Sequence, residues 1–307
     1  MKDVTLRQME YLVAVIDTGS VSAGAQACHV SQATVSSALA ALERALACTL
    51  LLRGPARRAL PTPEGLAFGN RARAVLAAAQ EAVESVDSSL TELRGPLSVG
   101  CMDTVSPRIL PGLVEHFTQT WPEVDLRLRE SDPFSLQEQV AAGALDVAVM
   151  YERQVRNPSL ERFHLADVQL HAMLPADSPL ANGDSVALAD LASMPCILLD
   201  IPPTQELLLE RIHALGLQVD VRWTSSSAET IRSLVARGLG FSLINAVPHP
   251  DARSFEGLPL AYLPLSDEKQ ANPAVALTAP GRRRSARIDE ALHALRRVAQ
   301  DSSPGGW

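Results

Sequence analysis

Aromatic residues make up only 4% of the 307 residues. With alanine and leucine abundant, that balance points to helices and away from a jelly roll or sandwich. Cysteine is equally scarce: Cys28, Cys48, Cys101 and Cys196 stand far apart, with no C-x-x-C pair and no histidine at metal spacing. A zinc site and a disulfide framework are therefore not expected. No stretch reaches 18 consecutive apolar residues, so no membrane span is expected. The opening MKDVTLRQMEYLVAV carries Arg7 and Glu10 inside its apolar pattern and lacks an export signal, which predicts a soluble, cytoplasmic protein. Catalytic signatures are missing too. There is no G-x-S-x-G, Walker loop, H-E-x-x-H or G-x-G-x-x-G, the GLG at 238–240 is too short, and the seven histidines do not cluster. The expectation is a protein that is not an enzyme and holds no cofactor or metal.

What is present fills about two domains. At 47% hydrophobic and 20% charged, the chain can bury substantial cores. Its formal charge of −8 is unevenly placed. Residues 1–63 hold six basic side chains (Lys2, Arg7, Arg44, Arg53, Arg57, Arg58) against four acids (Asp3, Glu10, Asp17, Glu43). Residues 96–307 hold 18 basic against 26 acidic residues, which equals the whole deficit.

Thr5-x-x-Gln8 has the form of a capping box, followed by Leu6, Met9, Leu12, Val13 and Ile16 at helical spacing up to Gly19. Ser20 and Ser31 are the next N-cap candidates. The helix after Ser31, SQATVSSALAALERAL, places Val35, Leu39, Leu42 and Leu46 on one side and Gln32, Ala33, Ser36 and Ser37 on the other. Two short helices joined by a tight turn, the second with a small polar face, describe a helix-turn-helix. Arg53, Arg57 and Arg58 lie in LLLRGPARRALPTPEG, read as a two-stranded wing that offers guanidinium groups to phosphates. A solvated loop is the plain alternative.

Thr62-Pro63-Glu64 supplies a cap, a first-turn proline and a favourable dipole charge for a helix running to about Leu93. Leu76, Ala79, Val83, Val86, Leu90 and Leu93 step by three and four, a coiled-coil seam; the polar Gln80, Glu84, Asp87 and Ser88 favour a dimer seam over a core helix. Beyond Arg94-Gly95-Pro96 the pattern alternates. LSVGC, VDLRLRE, LDVAVMY, HAMLP, CILLD, VDVRW, FSLIN and VALTA read as strands, with helices over 107–119, 135–142, 205–215, 228–237 and 285–300. Strands separated by single helices predict parallel α/β units. The expected organisation is a helix-turn-helix head at 1–63, a linker helix at 64–94 and a two-subdomain α/β part at 95–307. Within the last, subdomain I takes 95–164 plus 270–302 and subdomain II takes 165–269. The RRR at 282–284 reads as a solvated turn.

On these residues the chain resembles the LysR-type transcriptional regulators over nearly its full length. LRQMEYLVAVIDTGSVSAGAQACHVSQATVSSALAALERAL is similar to the family's winged helix-turn-helix, and RGPARRALPTPEG to its wing and linker start. ILPGLVEHFTQTWPEVDLRL, AAGALDVAVMY and LVARGLGFSLIN match pieces of its second domain. Ala33 departs from the family's usual proline or serine, Ser37 from a basic residue, Leu51 from phenylalanine and Pro61 from leucine. The resemblance implies an α/β protein with an N-terminal all-α winged helix-turn-helix, a linker coiled-coil helix and a two-subdomain, periplasmic-binding-protein-like effector domain. It also implies a dimer or homotetramer that binds an imperfect palindrome in double-stranded DNA, answers to a small-molecule effector and works with RNA polymerase.

DNA contact then falls to Ser31, Gln32, Ala33, Thr34, Ser36 and Ser37, with Arg53, Arg57 and Arg58 on the backbone or minor groove. Glutamine can pair bidentately with adenine, and serine suits either partner. The effector is expected between the subdomains, outside the carboxyl ends of the strands. Thr104 and Ser106 follow LSVGC, Thr204 follows CILLD, and Ser226 sits in the serine run after VDVRW. Hydroxyls beside uncapped helix N–H groups favour an anionic, carboxylate-bearing ligand, although serine and threonine also cap helices without binding anything. Asp132, Tyr151, Asp200 and Asn245 end strands or start loops near the same cleft; Asp200, if it lines the cleft, would pair an amino group. The alternative is a cysteine redox switch at Cys101 and Cys196, both within apolar strands where free cysteine is usually a small core residue. A solute-binding protein is the third reading, disfavoured by the DNA-binding head.

Overall fold

The computed structural model describes residues 3–53, 59–84, 93–245, 253–267, 270–280 and 284–301. They form two compact units, residues 1–92 with 138–146, and residues 93–137 with 147–307.

In the first unit, α1 (Leu6–Thr18) opens on Thr5, whose hydroxyl accepts from the Gln8 N–H at 3.3 Å while Gln8 Oε1 accepts from the Thr5 N–H at 2.9 Å. The capping box is complete. Gly19, at φ 69°, ends the helix by donating its N–H to the Val15 carbonyl. Next, α2 (Val21–Ala27) and α3 (Gln32–Leu46) start on the side-chain caps Ser20 and Ser31. Tyr11, Leu12 and Val15 of α1 share one buried core with Ala25 of α2 and Val35, Leu39 and Leu42 of α3. Each large side chain buried there contributes roughly 1.5–3 kcal/mol, which holds together helices too short to persist alone. β1 (Leu51–Arg53) pairs antiparallel with β2 (Ala59–Pro61). α4 (Pro63–Glu84) then starts under Thr62, whose hydroxyl accepts the Gly65 N–H at 2.9 Å. Only glycine fits at 65, because a Cβ would lie 1.9 Å from the Leu50 carbonyl oxygen. Of the expected seam, Val86 and Leu90 lie outside the described residues, and Leu93 is not helical.

From Gly95 the chain runs β3 (Gly95–Met102), α5 (Ser106–Thr120), β4 (Val124–Ser131), α6 (Pro133–Ala141), β5 (Val147–Tyr151) and β6 (Glu161–Ala166). It continues as β7 (His171–Pro175), α7 (Leu188–Leu191), β8 (Pro195–Leu199), α8 (Thr204–Ala214), β9 (Asp220–Ser225), α9 (Ala228–Ala236), β10 (Ser242–Ile244) and β11 (Leu260–Pro264). It returns for β12 (Ala274–Thr278) and α10 (Ala286–Asp301). One lobe is built on the five-stranded sheet β4-β3-β5-β12-β6, and the other on β10-β7-β11 with the pair β8-β9. β3–β4, β3–β5 and β8–β9 are parallel, as the alternating pattern predicts. β12 runs antiparallel to β5 and β6, and β7 antiparallel to β10 and β11. These departures from an all-parallel reading arise where the chain crosses between lobes and returns. β6 and β11 carry no strand signal of their own: ERFHLA is interrupted by charge, and LAYLP ends in proline.

Two crossings join the lobes, between β6 and β7 and between β11 and β12. The Asn272 N–H donates to the Val168 carbonyl at 2.7 Å, tying one crossing to the other. Arg284, expected in a solvated turn, instead pairs with Glu161 at 2.9 Å and Asp289 at 2.8 Å and lies over the Phe163 ring at 4.7 Å. Arg282 and Arg283 lie outside the described residues. No helix among the described residues is long and apolar enough to cross a membrane.

In the second lobe, Ile197 N–H donates to the Phe241 carbonyl at 2.8 Å and Phe241 N–H to the Pro195 carbonyl at 3.0 Å. That seam joins the β8–β9 pair to the three-stranded sheet, and it passes so close that a Cβ at Gly240 would lie 2.2 Å from the Pro195 oxygen. Gly240→Ala should therefore destabilise the chain by roughly 1–3 kcal/mol through overpacking, read as a lower urea midpoint. An unchanged midpoint would show that the seam yields without cost.

Candidate nucleic-acid interface and ligand cleft

At the start of α3, Ser31 Oγ accepts the Thr34 N–H at 3.1 Å and lies 2.8 Å from Thr34 Oγ1, so both hydroxyls serve the cap. Gln32, Ala33, Thr34 and Ser37 are exposed and Ser36 is half-buried, on the side of the helix away from Val35, Leu39 and Leu42. This surface is neutral, small and polar, able to approach base edges without a charge to desolvate. The Ser22 hydroxyl on α2 donates to Gln32 Oε1 at 3.0 Å. Sequence reasoning passed over Ser22, because only packing of α2 on α3 brings together residues ten apart. Arg53 ends β1 opposite Ala59. Its side chain, and the whole of Arg57 and Arg58, lie outside the described residues.

In the effector-side unit, several expected residues converge. Tyr151 is 1% exposed at the end of β5. Burial raises its hydroxyl pKa well above the usual tyrosine range, with Cys101 adding to the rise, while the Thr104 hydroxyl and the Arg108 guanidinium oppose it. Thr104 thus lies against Tyr151, yet its Oγ1 is buried without a fully formed hydrogen bond among the described residues. Arg108, in the first turn of α5, has its own pKa lowered by burial. Nearby Asp103 is raised by burial and by the carboxylates of Glu130 and Asp132. α5 starts at Ser106 without a side-chain cap, and Ser106 itself is buried with its hydroxyl on the Asp103 carbonyl at 3.2 Å.

Thr204, at the uncapped start of α8, connects the lobes: Gln154 Nε2 donates to Thr204 Oγ1 at 2.7 Å, and both side chains are buried. Gln154 Oε1 is buried with no partner among the described residues. Asn245 also reaches across, its Oδ1 accepting from Asn272 Nδ2 at 3.4 Å. Asp132 has a local task. Its Oδ1 accepts the Phe134 and Ser135 N–H groups, each at 3.0 Å, and its Oδ2 the Ser135 hydroxyl at 2.5 Å. Burial works against that carboxylate, but these hydrogen bonds outweigh it and hold its pKa below the ordinary range. Asp200 and Ser226 are exposed. Ser227, not Ser226, caps α9, accepting the Thr230 N–H at 3.3 Å.

Gln154 and Gln137 escaped sequence reasoning. Gln137 is 4% exposed; its Nε2 donates to the Pro133 and Gln154 carbonyls, and its Oε1 accepts the Arg156 and Asn157 N–H groups. No sequence signal marks either glutamine, since every partner but Pro133 lies 17 or more residues away. A groove of about 410 Å³ opens between α5 and α10. Its His116 is committed to holding the two helices, with Nε2 on Glu290 Oε1 at 2.6 Å and Arg297 Nη2 on Nδ1 at 2.6 Å.

Cys101 and Cys196 are both fully buried. Burial pushes the Cys196 thiol up to about 12 and raises Cys101 further. Cys28 and Cys48 are half-buried in the helix-turn-helix core, and burial raises Cys28. A reactive thiol needs the reverse, a depressed pKa and access. Among the described residues no group of three His, Cys, Asp or Glu could hold a metal ion.

Residues 6–66 match the bacterial regulatory helix-turn-helix protein, lysR family, and residues 91–300 match the LysR substrate binding domain. The chain is 29% identical over 298 residues to the hydrogen peroxide-inducible genes activator of Pectobacterium carotovorum subsp. carotovorum, covering 97% of each. It is 29% identical over 294 residues to the DNA-binding transcriptional dual regulator OxyR of Escherichia coli, covering 95% of each. Among solved structures, a full-length OxyR variant from Pseudomonas aeruginosa is similar at a TM-score of 0.75 and 25% identity, covering 95% of this chain and 97% of that one. Helix-turn-helix, two-lobed α/β domain and matched residues agree: the chain belongs to the LysR family of DNA-binding transcriptional regulators.

Proposed function

We propose that this regulator is switched by a small carboxylate-bearing effector held between the two lobes of residues 95–307. The observation that carries the reading is the buried Thr104 hydroxyl, which lies against Tyr151 but has no fully formed hydrogen bond among the described residues. A buried hydroxyl whose hydrogen bond is poorly formed costs free energy, and a ligand oxygen that accepts from it recovers part of that cost. Arg108 acts electrostatically on Tyr151 from α5, and Thr204, in the other lobe, accepts from Gln154. Ser226, Asp200 and Asn245 are proposed to border the site; Ser106 and Asp132 support its walls. The regulator is not an enzyme in this reading, and it acts in the cytoplasm.

On DNA, the reading assigns base contact to Gln32, Ala33, Ser36 and Ser37, with Ser31 and Thr34 fixing the helix start. Arg53, Arg57 and Arg58 hold phosphates. Residues 64–94 pair two chains so that their heads meet an imperfect palindrome, and two such pairs form a tetramer that works with RNA polymerase. Val83→Glu, a charge in the seam, should yield a smaller species in sedimentation and weaker operator binding through lost linkage of the heads. Wild-type mass and affinity would remove the seam.

The effector reading is tested by thermal shift and calorimetry on the full chain with a panel of small mono- and dicarboxylates and amino acids. A carboxylate should raise the melting temperature, and Thr104→Val should lower its affinity about tenfold while leaving operator binding unchanged. Stabilisation by amino acids alone would move the ligand class to zwitterions, with Asp200 as the amino partner. Equal affinity in Thr104→Val would take that residue out of the site.

Relatives described as activators of hydrogen peroxide-inducible genes raise the thiol-switch reading for this chain as well. Burial of Cys101 and Cys196 argues against it. At pH 8 both thiols stay protonated and enclosed, so alkylation of the native protein should reach Cys28 and Cys48 first, with all four reacting only on unfolding. Peroxide should leave operator affinity unchanged. Labelling of Cys101 or Cys196 as fast as Cys48, with altered DNA binding after peroxide, would restore the thiol switch.

A further inference from the structure

One hydrogen bond connects the two helices of the helix-turn-helix at their exposed ends. The Ser22 hydroxyl, in the first turn of α2, donates to Oε1 of Gln32, in the first turn of α3, at 3.0 Å. Neither serine nor glutamine is free to drift far, because each helix start is fixed by its own cap. Ser20 Oγ holds the Ala23 N–H at 3.0 Å and Ser31 Oγ holds the Thr34 N–H at 3.1 Å. Beneath them α2 is pressed onto α1 at Gly24, where a Cβ would lie 2.6 Å from Val15 Cγ2.

We infer that Ser22 is a positioning residue that sets which base Gln32 reads. The inference rests on the proposed role of Gln32 in base contact. A carboxamide recognises adenine by using both ends, its oxygen accepting from N6 and its nitrogen donating to N7. Here the oxygen is turned toward α2 by the Ser22 hydroxyl, so the end presented outward is Nε2 with its two N–H donors. Donors alone complement the O6 and N7 acceptors of guanine. Against adenine they meet N7 but oppose the N6 amino group, also a donor. The Gln32-dependent position of the operator is therefore guanine. Removing the Ser22 hydroxyl releases the amide to turn flat against adenine.

The test is selection of binding sites from a randomised duplex pool by the full-length wild type, Ser22→Ala, Ser22→Thr and Gln32→Ala. Ser22 is exposed and alanine is the better helix former, so Ser22→Ala is expected to fold. The wild type should select guanine at one position per half-site, and Gln32→Ala should flatten that position. Ser22→Ala should move it toward adenine by at least about fivefold in relative enrichment, the lower end of what a bidentate contact discriminates. Ser22→Thr keeps the hydroxyl and should keep guanine. If Gln32→Ala flattens the position and Ser22→Ala leaves it unchanged, the positioning role is overturned while base reading by Gln32 stands. If neither variant changes the selected sites, base reading by Gln32 falls and the inference with it. Wild-type selection of adenine at the Gln32-dependent position overturns the donor-only orientation. Loss of all sequence-specific binding in Ser22→Ala, retained in Ser22→Thr, assigns the hydroxyl to a phosphate contact and likewise overturns the inference.

Discussion

Asn272 fixes the two crossings on which the effector-side lobes depend. Its side chain, on the second crossing, is 4% exposed, and all its contacts are directional. Its N–H reaches the Val168 carbonyl on the first crossing, its Oδ1 accepts the Arg153 N–H at 3.1 Å, and its Nδ2 donates to Asn245. Arg211, also buried, adds a bond from Nη2 to the Gln270 carbonyl at 2.8 Å, and Gln154 adds the bond to Thr204. Each of these groups, left unpaired in the interior, costs about 1–3 kcal/mol. The lobes are thus oriented by a handful of hydrogen bonds of that size. A ligand that supplies one or two more acts on the same scale, which is also the usual scale of coupling between an effector and a distant site.

Local features were legible in the residues because their causes are local. The Thr5–Gln8 capping box, the Ser20 and Ser31 caps and the apolar side of α3 all follow from neighbours within one or two turns. The parallel pairs β3–β4 and β8–β9 follow from strand–helix–strand order. What stayed hidden depends on distant partners. β6 is a strand because β12, more than a hundred residues later, offers it an edge. Arg284 is drawn out of a solvated turn by Glu161 and Phe163. The candidate site divides in the same way. Hydroxyls after strands placed Thr104 and Thr204, whereas Gln154, which bonds Thr204, and Gln137, which bonds the Gln154 carbonyl, carry no periodicity or motif.

Relatedness and reactivity separate in this molecule. The match to the family extends over both halves of the chain, so fold and DNA-binding class are shared. Thiol chemistry is set instead by a few ångströms of surroundings. Cys101 sits in the interior strand β3 and Cys196 in β8, each with no exposed surface, where a neutral thiol fills volume like a small aliphatic side chain.

The charge distribution has a physical purpose once the two parts are assigned. A chain of net charge −8 is repelled by DNA on average, but attraction is decided within about one Debye length, roughly 8 Å at physiological salt. Within that range only the head matters, and residues 1–63 carry six basic groups against four acidic ones. That excess is small. Non-specific affinity grows with the number of phosphates neutralised, so a small excess predicts weak non-specific binding. On the proposed reading, a regulator built this way depends on base contacts and on pairing of heads for its occupancy. With base contact assigned, as proposed, to Gln32, Ser36 and Ser37, this places their neutral surface under greater demand than in a strongly basic head, and makes the orientation of a single carboxamide consequential.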